Sequence, residues 1–516
     1  MKRILLIGNS PLPNENTKIR PAAGLRTWQF LKALEKRCVL RLVTIAMPEC
    51  YGEGSSHKQQ SVTHARGGQG GDNLTMVGVA NVASATTTAI SKNDPDLQKK
   101  LQTLHDEFQP EAIISVNTYP SCIACGLKSH APLWCDLNGW IMAEAQAQAY
   151  KMDSNDYLSH YFGMESAVLR RADKFSAVSR AQSFALLGEL ASFGRLNKES
   201  FGYKFVEHVP NGIEWFEGEE ESVPGQRNGN EMTRGNSVPG NGISSHKQQS
   251  VTGDNFDWIN DAGNHIPKDS FVLLWIGGYN TWVDEITLFK AVNDAMAKCE
   301  KLYFVSTGGE IAGLDNKTFA KFKKMIEESP HKNRFIFLGW VDTAQIPSLY
   351  KRAQAGINVD RRCVETLTGA RNRINEMMKF GLPVVTTLGS EIAGEVEKVG
   401  AGLATKSGDH LALTQAIIEF HEEWRGGGGR ETMGFKQYGK NGQEYIRTFC
   451  NYETTVKPLL EWLENPRPAP DRNVKVKLGG AGGLLGGLPS LKTMWTYLKQ
   501  NGFKKSFEKF LQKVRG

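Results

Sequence analysis

The chain has 516 residues, 40% of them hydrophobic, with 62 Lys and Arg against 55 Asp and Glu. That length exceeds what one core supports, so two domains are expected. No run of 18 uncharged apolar residues occurs, and no membrane-spanning helix is expected. The net charge of +7 is local: residues 466–516 hold 11 Lys and Arg against Asp471 and Glu508, a net +9 that leaves −2 on the first 465 residues. A nearly neutral globular part argues against a nucleic-acid-binding core.

The opening Met1-Lys2-Arg3-Ile4-Leu5-Leu6-Ile7-Gly8 has too short an apolar run for a signal peptide and reads as a first buried strand. A cytoplasmic location is therefore expected. The eight cysteines are scattered, which is no disulfide framework, and the single Cys122-x-x-Cys125 lacks the second pair a zinc site needs.

Strands are expected at 3–8, 39–45, 112–116, 133–136, 174–178 and 205–209, and helices at 25–34, 97–108, 164–172 and 181–190. A second series follows, with strands at 271–276, 303–307, 334–338, 355–359 and 383–386. Its helices are expected at 287–299, 317–326, 346–352, 373–379 and 411–424. Alternation of this kind predicts an α/β fold with parallel sheets flanked by helices. Two Rossmann-like domains, 1–216 and 256–465, then face each other across a cleft, and ligands in such folds bind at the carboxyl ends of strands. The nonapeptide SSHKQQSVT occurs twice, at 55–63 and 244–252, inside Gly-, Asn-, Ser- and Gln-rich stretches. These stretches, about 52–73 and 217–255, are too polar to bury a core and are expected to be disordered insertions, the second serving as linker.

The segment from Asn358 to Thr387 is the richest in chemistry. It gathers Arg361, Arg362, Arg371 and Arg373 around Glu365 and Glu376 and ends in Gly381-Leu382-Pro383 before a buried strand. Guanidinium forks suit phosphate, and a fixed carboxylate accepts two ribose hydroxyls. The segment resembles the donor-binding stretch of family 4 glycosyltransferases, whose fold is the two-domain B type, and the resemblance extends over about residues 1–455. The variant pattern E-T-x-x-G-x-R-x-R-x-x-[DE] fits Glu365, Thr366, Gly369, Arg371, Arg373 and Glu376. The more usual spacing of two glutamates puts Thr368 where the first would stand.

By that resemblance Glu376 holds the ribose, Glu365 faces the donor sugar, and Arg371 or Arg373 faces phosphate, with Thr368 and Gly369 alongside. Gly277-Gly278-Tyr279-Asn280 would bring backbone N–H groups to the pyrophosphate, and Trp340 with Val341 would cradle the base. The Arg and Lys that relatives place after the glycine pair are missing from YNTWVDE. In the first domain Gly24 and Arg26 would lie near the donor phosphates and the acceptor. Asn138 stands where many relatives have a histidine, and an amide cannot transfer a proton.

The resemblance implies a retaining transfer from a nucleotide-sugar to a glycan or lipid-linked hydroxyl, without metal or other cofactor, in cell-envelope polysaccharide or glycoconjugate synthesis. A nucleotide-sugar epimerase on the same scaffold and a non-catalytic glycan-assembly subunit remain as alternatives. Beyond a flexible linker from Pro466, Leu491, Met494, Trp495 and Leu498 recur at helical spacing, followed by Phe503, Phe507 and Phe510 among basic residues. Such a basic amphipathic tail over 490–516 suits docking on the globular part or on an anionic membrane surface, which would make the protein peripheral at the inner face of the membrane.

Overall fold

A computed structural model describes residues 1–15, 21–47, 86–215, 266–311, 315–342, 345–426, 433–474 and 476. Both low-complexity insertions and the amphipathic tail lie outside the described residues.

The first sheet contains β1 (Arg3–Ser10), β2 (Val39–Ala46), β3 (Thr86–Ser91), β4 (Ala112–Val116), β5 (Leu133–Leu137), β6 (Lys174–Ala177) and β7 (Val206–His208). They are all parallel, in the order β3-β2-β1-β4-β5-β6-β7. The second sheet contains β8 (Phe271–Trp275), β9 (Leu302–Thr307), β10 (Phe335–Gly339), β11 (Ala355–Asn358), β12 (Val384–Leu388) and β13 (Gly402–Lys406). It too is parallel throughout, in the order β10-β9-β8-β11-β12-β13. The order reverses between β1 and β4 in one sheet and between β8 and β11 in the other. Those two reversals open the crevices in which such folds bind ligands.

Helices cover both faces, so the central strands read as unbroken apolar runs rather than alternating ones. In β1, Ile4 and Leu6 join one core with Phe30 and Leu31 of α1 (Ala22–Leu34), while Leu5 and Ile7 join the other with Leu101 of α2 (Leu97–Phe108). Leu273 and Trp275 of β8 pack on α7 (Glu285–Lys298), whose first turn is capped by the Asp284 carboxylate accepting from Thr287 N–H. Each fully buried aliphatic side chain contributes roughly 1.5–3 kcal/mol, enough for these runs to fix the centre of each sheet.

Several parts differ from the sequence expectation, among them helices at Thr118–Cys125, Ile141–Met152, Glu391–Lys398 and Met433–Phe449 that it did not include. Strands β3 and β13 were not expected: TTTAIS and GLATK are short and weakly apolar, and they sit at sheet edges where one side needs no partner. After the second domain the chain returns to the first. There α16 (Lys457–Glu464) puts Leu459 and Leu463 into the core beside Trp134, with Trp462 5.3 Å from it.

Residues 466–473, expected to begin a flexible linker, instead dock on the first domain. Asp471 pairs with Arg195 at 2.6 Å, and Arg472 and the Ala469 N–H bind Asp173. Arg195 and Asp173 are both buried, and a buried charge without a partner is costly; the segment supplies those partners. Composition alone misses this, because Pro and Ala look like linker.

The domains meet through a few specific contacts. Ser179, after β6, donates to the Thr368 carbonyl at 2.6 Å. Asn211, after β7, donates to Asn372 Oδ1 at 2.6 Å and accepts from Asn375 at 3.2 Å. Two short helices, α4 (Ile141–Met152) and α10 (Val364–Thr368), also pack together across the junction.

Candidate active site

The carboxyl edge of the second sheet is lined by glycines. Gly277, Gly308 and Gly339 follow or end β8, β9 and β10 with φ of 95°, 78° and 63°, a region side-chain-bearing residues rarely adopt. A Cβ on Gly308 would lie 2.4 Å from the Gly277 backbone, and one on Gly278 would lie 2.5 Å from Ile311 and 3.3 Å from the Trp340 ring. Trp340 is 43% exposed above this floor, with Val341 half-buried after it. An exposed indole over bare backbone can stack a planar base. Asn280 opens the turn that follows, its carbonyl accepting from Val283 N–H. Tyr279 does not face this space: it is fully buried, stacked on Trp275 at 4.9 Å and bonded to Ser306. It is a core residue rather than the ligand contact expected.

The four arginines separate into distinct roles. Arg361 is tied to Glu285 and the Val283 carbonyl, and Arg362 is exposed. Arg371 is buried between two acids: Nε donates to Asp360 at 2.6 Å, and Nη1 and Nη2 fork onto Glu365 at 3.1 and 2.7 Å. Its remaining N–H groups are directed to the Ala370 carbonyl and the Thr366 hydroxyl. Arg371 has no donor left for a phosphate, which corrects the expectation, and the two acids push its pKa further up. Burial pushes Glu365 up despite Arg371, and both its oxygens are engaged. Glu365 therefore shapes the field of the site rather than offering a free carboxylate to the sugar.

Arg373, two residues on, is different. On α11 (Asn372–Lys379), its Nη2 donates to the Gly278 carbonyl at 2.9 Å and its guanidinium lies 4.1 Å over the Trp275 ring. Its Nη1 is buried and has no hydrogen-bond partner among the described residues. Burial lowers its pKa, yet arginine stays charged in proteins. A buried cationic donor left open beside a glycine turn is a site for an anionic ligand.

Glu376 is half-buried on the same helix and accepts from the Tyr350 hydroxyl at 3.0 Å. Thr368 and Gly369 serve the junction. The Thr368 carbonyl accepts from Ser179, its hydroxyl turns back to Val364, and a Cβ on Gly369 would lie 2.5 Å from Glu365.

In the first domain the buried Arg26 spends all its donors on protein. It forks onto Asp136 at 2.9 and 2.7 Å and binds Gln29, Asn211 and the carbonyls of Val209 and Pro210. It ties β5 to the domain junction and is not poised for a substrate, contrary to expectation. Gly24 is needed for packing, since its Cβ would lie 2.0 Å from the Pro11 carbonyl. Asn138 does point to the crevice edge: it donates to Asn117, which donates to Asn9, at 3.1 and 3.0 Å. These amides end β5, β4 and β1 and form a polar, uncharged rim.

Sequence reading missed Glu144. This residue of α4 lies over Gly139 (φ 105°), where a Cβ would come within 2.7 Å of Glu144 Oε1. Burial, reinforced by the charge of Glu365 and opposed by Arg371, pushes its carboxyl up to about 8. Gly308-Gly309 was also missed, though its pattern after an apolar strand matches that of Gly277-Gly278 and could have signalled it. A cavity of about 540 Å³ at the junction is lined by Ser179, His208, Asn211, Gly369, Arg371 and Asn375. Neither Gly277 nor Trp340 lines it, so it is distinct from the glycine floor. Among the described residues no group of His, Cys, Asp or Glu is placed to hold a metal ion, and no helix is long and apolar enough to cross a membrane.

Two parallel, Rossmann-like domains with the ligand edge of one against the other define the B-type glycosyltransferase architecture. Residues 270–423, most of the second domain, match the family described as glycosyl transferases group 1. Solved structures agree on the fold. A sucrose-phosphate synthase from Thermosynechococcus elongatus superposes with a TM-score of 0.57 at 13% identity, covering 90% of this chain and 98% of that one. HepE of Anabaena, solved with UDP-glucose, gives 0.53 at 14% identity, covering 90% and 100%. WaaG, a glycosyltransferase involved in lipopolysaccharide biosynthesis, gives 0.52 at 12% identity with the same coverage. No curated protein matches the chain.

Proposed function

We propose that the protein transfers a sugar from a nucleoside-diphosphate donor to a hydroxyl of a glycan or lipid-linked acceptor, with retention, in the assembly of an envelope polysaccharide or glycoconjugate. One observation carries this: the buried, open Nη1 of Arg373 beside the Gly277-Gly278 turn. The diphosphate lies against those glycines, its charge met by Arg373. Trp340 stacks the base and Glu376 accepts from the ribose. In the transition state the leaving diphosphate gains charge. A fixed guanidinium in a partly desolvated cleft is then worth several kcal/mol, about 4 kcal/mol for unit charges 4 Å apart at an effective dielectric of 20. Backbone and arginine suffice for this stabilisation, so the reading requires no metal. HepE bound to UDP-glucose makes a uridine donor the first to test.

The basic tail over 490–516 suits attachment to an anionic membrane surface at its cytoplasmic side, where a lipid-linked acceptor would be presented. Thermal-shift measurements with UDP, GDP, ADP and TDP test the donor reading, since a ligand that binds only the folded state raises the melting temperature. A rise with one of the four is expected, and no rise with any of them contradicts it.

A further inference from the structure

The cavity of about 540 Å³ at the domain junction has no part in the donor reading. Its volume falls in the range of small-molecule sites, roughly 300–1,000 Å³, and such sites concentrate between domains. Three stretches of chain wall it. Val178 and Ser179 follow β6, and Pro210 and Asn211 follow β7. Helix α12 (Glu391–Lys398) of the second domain lines it with Glu391, Ile392, Glu395 and Lys398. Helix α14 (Met433–Phe449) adds Tyr445 and Phe449, with Cys450 after them.

The charges of the walls cancel in pairs. Arg180 binds Glu391, Lys398 lies 3.3 Å from Glu395, and Arg371 is held by Asp360 and Glu365. His208 adds no charge, because burial holds its imidazole below the usual range. Its Nε2 stands 3.3 Å from the Val178 carbonyl, so Nε2–H donates there and Nδ1 is left as an acceptor. Burial pushes Tyr445 and Cys450 up, so the phenol and the thiol keep their protons. A charged ligand entering here would lose hydration without gaining an uncommitted counter-charge. A neutral one does not face that cost.

The walls offer such a ligand acceptors beside rings. The carboxylate oxygens of Glu391 and Glu395 retain lone pairs beyond those their cations take. The Tyr445 and Phe449 rings form a tilted pair 5.4 Å apart, and Phe449 is 57% exposed. Both carboxylates lie close enough to Tyr445 to raise its pKa further, so they and the rings face the same space. A pyranose carries the matching chemistry: an apolar C–H face that packs on an aromatic ring, and hydroxyls that donate to carboxylates.

We propose that the junction cavity is a binding site for a neutral saccharide, separate from the glycine floor. The sugar face rests on Tyr445 and Phe449, and its hydroxyls donate to Glu391, Glu395 and His208 Nδ1. The site needs neither Arg373 nor Trp340, so it stands or falls apart from the donor reading.

Saturation-transfer NMR on the full chain tests this with D-glucose, D-galactose, D-mannose, N-acetyl-D-glucosamine, maltose and lactose. The titrations are repeated on Glu395→Gln and Phe449→Ala, and melting temperatures check that each variant is folded. One or more of these sugars should bind the wild type. Glu395→Gln should weaken that binding roughly 10-fold, the worth of a hydrogen bond to a charged group. Phe449→Ala should weaken it by a similar factor through lost ring packing. Absence of binding by every one of these sugars overturns the proposal. So does a folded variant of either kind that binds the sugar as tightly as the wild type, since the sugar then sits elsewhere. If Glu395→Gln does not fold, Phe449→Ala decides alone, because an exposed ring contributes little to folding.

Discussion

The carboxyl edges of the two sheets handle charge in opposite ways. At the first, Arg26 is buried against Asp136 with every donor used, and the rim is a row of amides, Asn9, Asn117 and Asn138. At the second, a floor of glycines carries Arg373 with Nη1 open. Within the second edge the contrast recurs two residues apart: Arg371 is held by Asp360 and Glu365, and Arg373 is not. A saturated buried arginine holds structure together. An unsaturated one retains a cost that a ligand can relieve. Clusters of like residues in a sequence therefore need sorting by partner before any is assigned to a substrate.

That contrast can be broken at several points. The largest effect belongs to the saturated edge. Arg26→Met leaves Asp136 buried without its partner, and loss of about 3–5 kcal/mol of stability is expected; urea unfolding checks it. A change under about 1 kcal/mol would mean the fork is not a structural tie. A smaller loss should follow from cutting the chain after Asn465 rather than after Asn473. The shorter form lacks Asp471 and Arg472, partners of Arg195 and Asp173. It should be less stable by roughly 1.5–3 kcal/mol, the worth of charged hydrogen bonds; equal melting temperatures would show that the segment does not hold the first domain. The smallest effect sharpens the open edge. Glu376→Gln keeps the Tyr350 contact possible while removing a charged acceptor, and should weaken nucleotide affinity by about 1.5 kcal/mol with folding unchanged. Unchanged calorimetric affinity would remove Glu376 from the site.

Much of the scaffold was legible in the sequence. Apolar runs such as Ile4-Leu5-Leu6-Ile7 and Phe271-Val272-Leu273-Leu274-Trp275 mark strands buried on both faces, and β4 and α2 fall at the expected bounds. Edge strands β3 and β13 carry little apolar signal because only part of their surface is buried. Within the site, spacing located the arginine cluster but not its pairing, since Asp360 and Glu365 reach Arg371 only through the bend of the chain after β11. Tyr279 looked like a ligand contact because it follows the glycines, but the turn at Gly277 sends it into the core. Glu144 was invisible for the opposite reason: on α4 it is one charged residue among alanines and glutamines, and only the packing of α4 on α10 sets it in the field of Glu365.

Calorimetric titration of UDP, or of whichever diphosphate gives the largest thermal shift, into wild-type and Arg373→Met protein tests the central claim most directly. The methionine keeps an apolar stem over Trp275 and removes the open donor. The account predicts a folded variant whose affinity falls by roughly 1.5–3 kcal/mol, about 10- to 150-fold, with the wild-type affinity weakening as salt rises and the variant's doing so less. A folded Arg373→Met protein that binds the diphosphate as tightly as the wild type would contradict it.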